Sequence, residues 1–187
     1  MTDVFTQARA RARAFSGHFI DGAWRDSTGG TIPVVDPATE TQIGAIAAGG
    51  AAEVDAAVSA ARRAFESNEW SAMPAARREL LLHRLADLVE AGQDEIAAIE
   101  TIDNGMPYAI SKMMAVGSAI SSIRYHAGWP RRLTGETVPM SVPGNWHGYT
   151  THDPLGVAAL IVPWNAPFAI TCSKLSAALA AGCSVVL

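Results

Sequence analysis

The fold is decided by the stretch Pro154–Leu187, which reads PLGVAALIVPWNAPFAITCSKLSAALAAGCSVVL. Val157–Val162 is an uninterrupted apolar run, typical of a strand buried on both faces. The PWN sequence at 163–165 predicts a tight turn, and the alanine-rich Phe168–Ala181 predicts a helix. The apolar run restarts at Ser184–Leu187. A strand, a helix and a second strand in such close succession predict a βαβ unit with parallel strands.

Composition narrows the class of protein. The chain has 187 residues, of which 49% are hydrophobic and 17% charged, and this balance is typical of a globular domain. The formal net charge of −4 leaves no basic footprint for nucleic acid. No stretch is long and apolar enough to predict a membrane-spanning helix. Since no membrane-spanning helix is predicted, we expect no membrane partner. Two cysteines are too few for a disulfide framework, and we therefore expect a cytoplasmic location.

Residues 1–17 are expected to form a flexible extension. Ala8–Phe15 reads ARARARAF, with arginines at alternate positions and no clean amphipathic helix pattern. An arginine-rich leader is one interpretation, because transit peptides have that composition. A solvated terminus is the other, and the nearby Asp3 and the shortness of the stretch favour it.

Residues 18–130 are predicted to form small hairpins followed by four amphipathic helices. Asp21-Gly22 lies at the centre of an alternating segment, the strongest short signal for a hairpin. Two short strands follow and the apolar period then becomes helical. The predicted strands are Thr31–Val35 and Ile43–Ala48. The predicted helices are Ala52–Glu66, a helix from an N-cap at Ser71 to Gly92, a helix from Asp94 to Asn104, and a helix from after Pro107 to Gly128. The apolar stripe of the second helix is predicted to be Leu81, Leu85, Leu88 and Val89.

Residues 131–153 are predicted to form a two-stranded ribbon. Thr134–Pro139 and His147–His152 are extended segments around a turn at 143–145. A lone ribbon is marginally stable in water, so we expect this one to pair with something outside itself.

Seven stretches, in this order, resemble the N-terminal part of the aldehyde dehydrogenase superfamily. They are FIDGAW, VVDPATE, ETIDNGMP, RYHAGWPRRLTGETVP, HDPLGV, IVPWNAPF and KLSAALAAGCSVV, between His18 and Leu187. The resemblance implies an α/β fold: an incomplete Rossmann-like cofactor domain, with 154–187 as its first βαβ unit. It also implies that the 131–153 ribbon is an oligomerisation arm, so that the full-length protein is a homo-oligomer.

The chemistry implied by the resemblance is the oxidation of an aldehyde to a carboxylic acid with NAD or NADP. In the family a cysteine thiolate attacks the aldehyde to give a thiohemiacetal, hydride passes to the nicotinamide, and a glutamate-activated water releases the acid. The resemblance leaves open which aldehyde is the substrate and which of the two cofactors is used.

Asn165 is the candidate catalytic residue with the most specific context. By resemblance its carboxamide donates to the aldehyde oxygen and stabilises the oxyanion, a role typically worth about 10²–10³ in rate. The alternative is an N-cap, since asparagine before a helix often accepts from backbone N–H groups. Lys174 matches a lysine linked to proton transfer in the family, or else it is an ordinary lysine on an exposed helix face.

Three further groups of residues take roles from the resemblance, each with a structural alternative. For the cofactor wall, the alternative is a strand end followed by a turn with no ligand. For the substrate tunnel, the alternative is core packing. For the monovalent-cation site, the alternative is an aspartate that simply lies at a helix end. These groups are Ile161, Val162, Pro163 and Trp164 for the wall; Ala166, Ile170 and Ser173 for the tunnel; and Asp103 with the backbone near Val35 for the cation.

The family's nucleophile and general base have no counterpart in these residues. Cys172 and Cys183 are expected to be small buried hydrophobic residues. Glu100 and Asp103 share a helix face, but nothing in the sequence places a reacting centre beside them. We therefore expect these 187 residues alone to oxidise no aldehyde. The alternative function is a non-catalytic fragment that associates with full-length subunits through the ribbon.

Overall fold

The computed structural model describes residues 2–14 and 17–187. The first half of the chain alternates short hairpins with helices. Its elements are α1 (Thr2–Ala14), β1 (His18–Ile20), β2 (Ala23–Arg25), β3 (Thr31–Asp36), β4 (Thr41–Ala47), α2 (Ala51–Glu66), α3 (Ala75–Ala91) and α4 (Gln93–Asn104).

The second half contains the predicted βαβ unit. Its elements are α5 (Tyr108–Ile110), a π-helical segment (Ser111–Val116), α6 (Gly117–Ala127), β5 (Thr137–Val138), β6 (Gly148–Tyr149), β7 (Val157–Ala159), α7 (Pro167–Ala181) and β8 (Ser184–Val186). The helix predicted after Pro107 is therefore interrupted by a π turn. Within the described ranges, no helix has the length and apolar character that crossing a bilayer requires.

The strands form two-stranded sheets. β1 pairs with β2, β3 with β4, and β5 with β6, all antiparallel. β7 and β8 pair in parallel, with Val157 opposite Ser184, and α7 connects them as the sequence predicts. Gly182 ends α7 in the left-handed conformation at φ 94°, which a glycine adopts without strain.

The main core lies where α3, α6 and α7 meet. Ile123 of α6 is 1% exposed and packs in one cluster with Ala86 and Val89 of α3 and Cys172 of α7. Phe168, in the first turn of α7, packs against the same cluster. The position of α7 therefore depends on apolar contacts with two helices that come much earlier in the chain.

The buried face of α3 matches the predicted stripe at Val89 and, half-buried against the core, at Leu85, but not at Leu88. The helix begins at Ala75 with Pro74 as its N-cap, and the Ser71 hydroxyl instead donates to the Phe65 carbonyl at 3.0 Å. The buried positions are Leu82, Ala86 and Val89, whereas Leu88 is exposed. In a helix so rich in leucine the apolar period fits two neighbouring faces, and tertiary packing selects between them.

The N-terminal extension is also different from the expectation. Residues 2–14 form helix α1, which packs against β4 and α4, and Ala8 is fully buried. Val4 and Phe5 pack in the same cluster as Ile43 and Ile102. Ala8 lies one turn after Val4 and Phe5, so these three residues give α1 an apolar face that can be buried although the helix is rich in arginine.

An ion pair fixes α1 to the β3–β4 hairpin. Arg9 Nη2 lies 2.6 Å from Asp36 Oδ2, and the Asp36 side chain is almost completely buried. Burial alone would raise the Asp36 pKa, but the hydrogen bonds from Arg9 and from the Ala38 N–H outweigh it and lower the pKa. The stability that this carboxylate contributes is therefore present above its unfolded-state pKa and is lost as the pH falls through the lower folded-state value.

We expect Arg9→Ala to lower the free energy of unfolding by about 2 kcal/mol at neutral pH, because it leaves the buried Asp36 carboxylate without its charged partner. Urea denaturation followed by circular dichroism measures the change. Arg13→Ala, an exposed arginine in the same helix, is the matched control and should change stability by less than about 0.5 kcal/mol. Equal effects of the two substitutions would contradict this account of α1.

Candidate functional site

The PWN turn lies at the carboxyl end of β7. The Leu160 N–H donates to the Val186 carbonyl at 2.8 Å, and the chain then leaves the sheet and begins α7 at Pro167. In open α/β sheets, ligands bind at the carboxyl ends of the parallel strands. The turn therefore occupies the position at which this architecture places a binding site.

Asn165 is exposed in this turn, and the structure does not support its alternative role as a helix cap. The N-cap of α7 is Ala166, and no side chain of the cap residue bonds the first turn. Within residues 2–14 and 17–187, no hydrogen-bond partner is recorded for the Asn165 carboxamide. Its amide protons are therefore accessible to a ligand at the surface.

The residues predicted to form the cofactor wall lie on the same segment. The side chains of Ile161 and Trp164 are 83% and 85% exposed, Pro163 is exposed, and Val162 is half-buried. Apolar side chains this exposed lose stabilisation that they would regain under a ligand. The residues of the predicted cofactor wall therefore form an exposed, largely apolar surface beside the strand end.

The Lys174 side chain forms a hydrogen bond with the backbone just after β7. Its Nζ donates to the Ile161 carbonyl at 2.7 Å although the side chain is otherwise exposed. The ammonium is therefore held beside the first residue of the candidate wall. The predicted tunnel residues Ala166, Ile170 and Ser173 are all half-buried at the N-terminal half of α7, where both tunnel lining and core packing fit their exposure.

The C-terminal end of α4 contacts the turn just before Asn165, and the sequence did not predict this contact. Asn104 Nδ2 donates to the Trp164 carbonyl at 2.8 Å. The N–H of Phe168, at the start of α7, acts to lower the pKa of the buried Glu100 carboxyl group. Asn104 and Glu100 both belong to the ETIDNG stretch, where the sequence predicts only that Asn104 ends a helix and gives no role to Glu100. No local pattern could have connected them to a turn so distant in the chain.

Glu100 is an acid in an unfavourable environment. Its side chain is 5% exposed, and Oε1 has no hydrogen-bond partner among the described residues. Burial raises the Glu100 pKa, the charge of Asp103 raises it further, and the Phe168 N–H opposes both. Partial desolvation also raises the pKa of Asp103, although this residue is exposed.

We expect Glu100→Gln to become increasingly favourable for stability as the pH rises. The folded-state pKa of Glu100 lies above its unfolded value, so the wild-type chain loses stability as the pH increases through that window. Glutamine has nearly the same size as glutamate and carries no charge at any of these pH values. Urea denaturation at a series of pH values should show the difference between the two proteins growing from acid to neutral pH. A difference independent of pH would contradict the account.

The predicted cation site is only partly assembled from the expected residues. Asp103 and Val34, the neighbour of Val35, line the same cavity of about 480 Å³ between α1, the β3–β4 hairpin and α4. Across the described chain, no three His, Cys, Asp or Glu side chains are grouped as metal ligands. Cation binding at Asp103 and Val35 stays a prediction.

Neither cysteine is suited to nucleophilic attack. Cys172 and Cys183 are both 6% exposed and have no disulfide. Burial raises the pKa of the Cys172 thiol to about 11, so that the reactive thiolate is scarce at neutral pH. This arrangement agrees with the expectation that both are packing residues.

Comparison with known proteins identifies relatives across nearly the whole chain. The sequence model of the aldehyde dehydrogenase family matches residues 24–187. A mitochondrial aldehyde dehydrogenase of Equus caballus is 43% identical over 171 residues, covering 90% of this chain and 34% of its own length. A mitochondrial benzaldehyde dehydrogenase of Antirrhinum majus is 41% identical over 172 residues, covering 92% of this chain and 31% of its own.

A solved structure agrees with the fold. The NAD⁺ complex of aldehyde dehydrogenase from Bacillus cereus superposes with a TM-score of 0.91 at 37% identity, covering 97% of this chain and 37% of that one. The chain thus spans about a third of the length of the relatives that it matches.

Proposed function

We infer, because this chain belongs to the aldehyde dehydrogenase family, that its 187 residues contribute the oxyanion-stabilising part of an NAD(P)-dependent aldehyde-oxidising site. The observation that carries the proposal is the Asn165 carboxamide, exposed at the carboxyl end of β7 and not engaged as a helix cap. A side-chain amide N–H at such a position can donate to the oxygen on which negative charge develops when a nucleophile attacks an aldehyde.

The cofactor is proposed to lie against Ile161, Val162, Pro163 and Trp164, where its nicotinamide would accept the hydride. Their exposed apolar surface at the end of a parallel strand supports this placement. The similar Bacillus cereus enzyme was solved as an NAD⁺ complex, which supports NAD or NADP for this chain. Lys174, held to the Ile161 carbonyl, would place a positive charge beside that wall and serve proton transfer there.

The nucleophile and the general base are proposed to come from outside these 187 residues. The two cysteines present and Glu100 are all buried. An oxyanion donor without a nucleophile has no charge to stabilise, so the 187-residue polypeptide alone should form no NADH from aldehydes.

A chimaera tests the proposal. Residues 18–187 replace the matching third of the Bacillus cereus enzyme, and NADH formation is followed with a panel of aldehydes. The chimaera should be active and the isolated 187-residue chain inactive. A chimaera that folds and binds NAD⁺ but oxidises no aldehyde would contradict the proposal, and so would turnover by the isolated chain.

Association with full-length subunits is a second candidate function, supported by the exposed 131–153 ribbon. β5 and β6 pair only with each other among the described strands, and their outer edges are open. Several large apolar or aromatic side chains of the ribbon are exposed to solvent, namely Val138, Met140, Val142, Trp146 and Tyr149.

We expect the 187-residue chain, refolded together with the Bacillus cereus enzyme, to form mixed oligomers through this ribbon. Size-exclusion chromatography with light scattering measures them. Replacing both Trp146 and Tyr149 with serine should abolish mixing, because it removes the largest exposed apolar surfaces of the ribbon. Tyr125→Ser, at an exposed aromatic residue of α6, is the control and should leave mixing intact. Equal mixing by all variants would rule out this ribbon as the contact.

A further inference from the structure

A cavity lined mainly by aliphatic side chains lies between α1, the β3–β4 hairpin and α4. Its volume of about 480 Å³ is within the range of pockets that bind small organic molecules. Valine and isoleucine residues from α4 and from both strands of the hairpin line it: Val34, Ile43, Ile46, Ile96, Ile99 and Ile102. The residues at 161–166 and 174, which the proposed oxidation uses, do not line it. The proposed oxidation therefore gives this cavity no role.

The aliphatic wall runs from the core to the surface. Ile96, Ile99 and Ile102 recur at intervals of three residues along α4, so they share one face of the helix. Ile102 and Ile43 are each 3% exposed and belong to the same core cluster. Ile96 and Ile99 are half-buried, and Ile46 is 50% exposed. Apolar surface in the outer part of the cavity therefore stays in contact with water, which an apolar ligand would displace favourably.

Helix α1 closes one side of the cavity. Ala12 of this helix lines the cavity, and the helix packs against β4. A Cβ atom at Gly44 of β4 would lie 2.5 Å from the Ala12 carbonyl oxygen, and only a glycine permits this approach. Arg11, which also lines the cavity, is paired with Glu95 of α4, with 3.3 Å between Nε and Oε1. These contacts fix α1 against the hairpin and α4, so the cavity is formed without a ligand.

The charged residues of the lining favour a cation as the ligand. They are Arg11, Glu95 and Asp103, so that the carboxylates outnumber the guanidinium. Arg11 and Glu95 neutralise each other. Asp103 is exposed, and across residues 2–14 and 17–187 its carboxylate has no hydrogen bond or ion pair. A positively charged ligand would supply the missing partner, whereas an anion would be repelled.

We propose that this cavity binds an amphipathic organic cation, with its ammonium group at Asp103 and its aliphatic chain against the isoleucines of α4 and β4. Both parts of the lining select this class of ligand. A small inorganic cation, which the sequence predicts at Asp103, would use the carboxylate but leave the aliphatic wall in water. A neutral aliphatic molecule would cover the wall but leave the carboxylate without a partner. The proposal does not depend on the role of Asn165.

Binding to the 187-residue chain is measured by NMR, with n-hexylammonium as the probe. Its addition should shift the amide signals of α4 and of the β3–β4 hairpin, and it should bind more tightly than methylammonium, n-hexanol or hexanoate. Each methylene group that the cavity covers should tighten binding by up to about fourfold. Methylammonium that binds as tightly as n-hexylammonium would overturn the proposal, because only the carboxylate would then be used. Equal affinities for n-hexylammonium and n-hexanol would also overturn it, because the charge would then have no part.

Substitution of Asp103 tests the contact with the ammonium group. Asp103→Asn should weaken n-hexylammonium binding by about three- to fivefold, the effect of an exposed ion pair, and leave n-hexanol binding unchanged. The substitution is at an exposed side chain, so the fold should be retained. Full affinity of Asp103→Asn for n-hexylammonium would refute Asp103 as the partner of the charge.

Substitution of Ile46 tests the location of the aliphatic chain. Ile46→Ser removes apolar surface from the outer wall and should weaken the binding of both n-hexylammonium and n-hexanol. Ile32→Ser is the matched control, because Ile32 lies opposite Ile46 in the hairpin, is 52% exposed and does not line the cavity. Its affinities should equal those of the unsubstituted chain. Equal affinities of the two variants for n-hexylammonium would place the ligand outside this cavity.

Discussion

Asn165→Ala in the chimaera should lower kcat by about 10²–10³-fold and leave the affinity for NAD⁺ unchanged. Loss of one preformed donor to a developing oxyanion typically has an effect of this size. The Asn165 side chain is exposed and has no recorded partner in the described chain, so its removal should leave no buried group unsatisfied. Steady-state kinetics with a saturating aldehyde measure the loss.

The same substitution should have little effect on folding, which separates a catalytic role from a structural one. In the isolated 187-residue chain we expect Asn165→Ala to change the free energy of unfolding by less than about 0.5 kcal/mol. Asn165→Asp keeps the size but replaces the donor with a carboxylate, and should be at least as damaging to kcat. Retention of kcat in Asn165→Ala would remove the residue from the catalytic site.

Ile123→Ala should lower the free energy of unfolding of the chain by about 3–4 kcal/mol, a large part of the stability of an ordinary domain. Ile123 is 1% exposed at the junction of α3, α6 and α7. Removing its side chain leaves a cavity in the cluster against which Phe168, in the first turn of α7, packs. Urea denaturation monitored by circular dichroism gives the change.

Ile123→Val is the matched control, because it removes a single methylene from the same position. We expect it to cost about 1 kcal/mol. A loss below about 1 kcal/mol for Ile123→Ala would show that α3, α6 and α7 do not share one core. The outcome also bears on the site, because α7 positions Lys174.

The sequence reveals what is local in this fold. The apolar runs around α7 predict two strands and a helix, and the structure pairs the strands in parallel. Asp21-Gly22 predicts the hairpin of β1 and β2, and Gly105 ends α4 in a left-handed conformation. These features depend on the conformational preferences of neighbouring residues, which a sequence displays directly.

What the sequence does not reveal depends on partners far along the chain. The prediction that residues 1–17 form a flexible extension is wrong for α1. The three arginines indicated a solvated terminus, whereas Val4, Phe5 and Ala8 pack against β4 and α4. A count of apolar residues at helical spacing could have found this helix. Asn104 gives no such signal, because its hydrogen bond to the Trp164 carbonyl exists only once α4 lies against the turn.

The pre-steady-state rate of hydride transfer in the chimaera tests the central claim most directly, because oxyanion stabilisation acts on the chemical steps and not on product release. Enzyme saturated with NAD⁺ is mixed with excess aldehyde, and the burst of NADH is recorded for the chimaera with Asn165 in place and for its Asn165→Ala variant. We predict a burst rate lower by about 10²–10³-fold in the variant, with an unchanged dissociation constant for NAD⁺. Equal burst rates in the two proteins would contradict the assignment of Asn165 as the oxyanion donor.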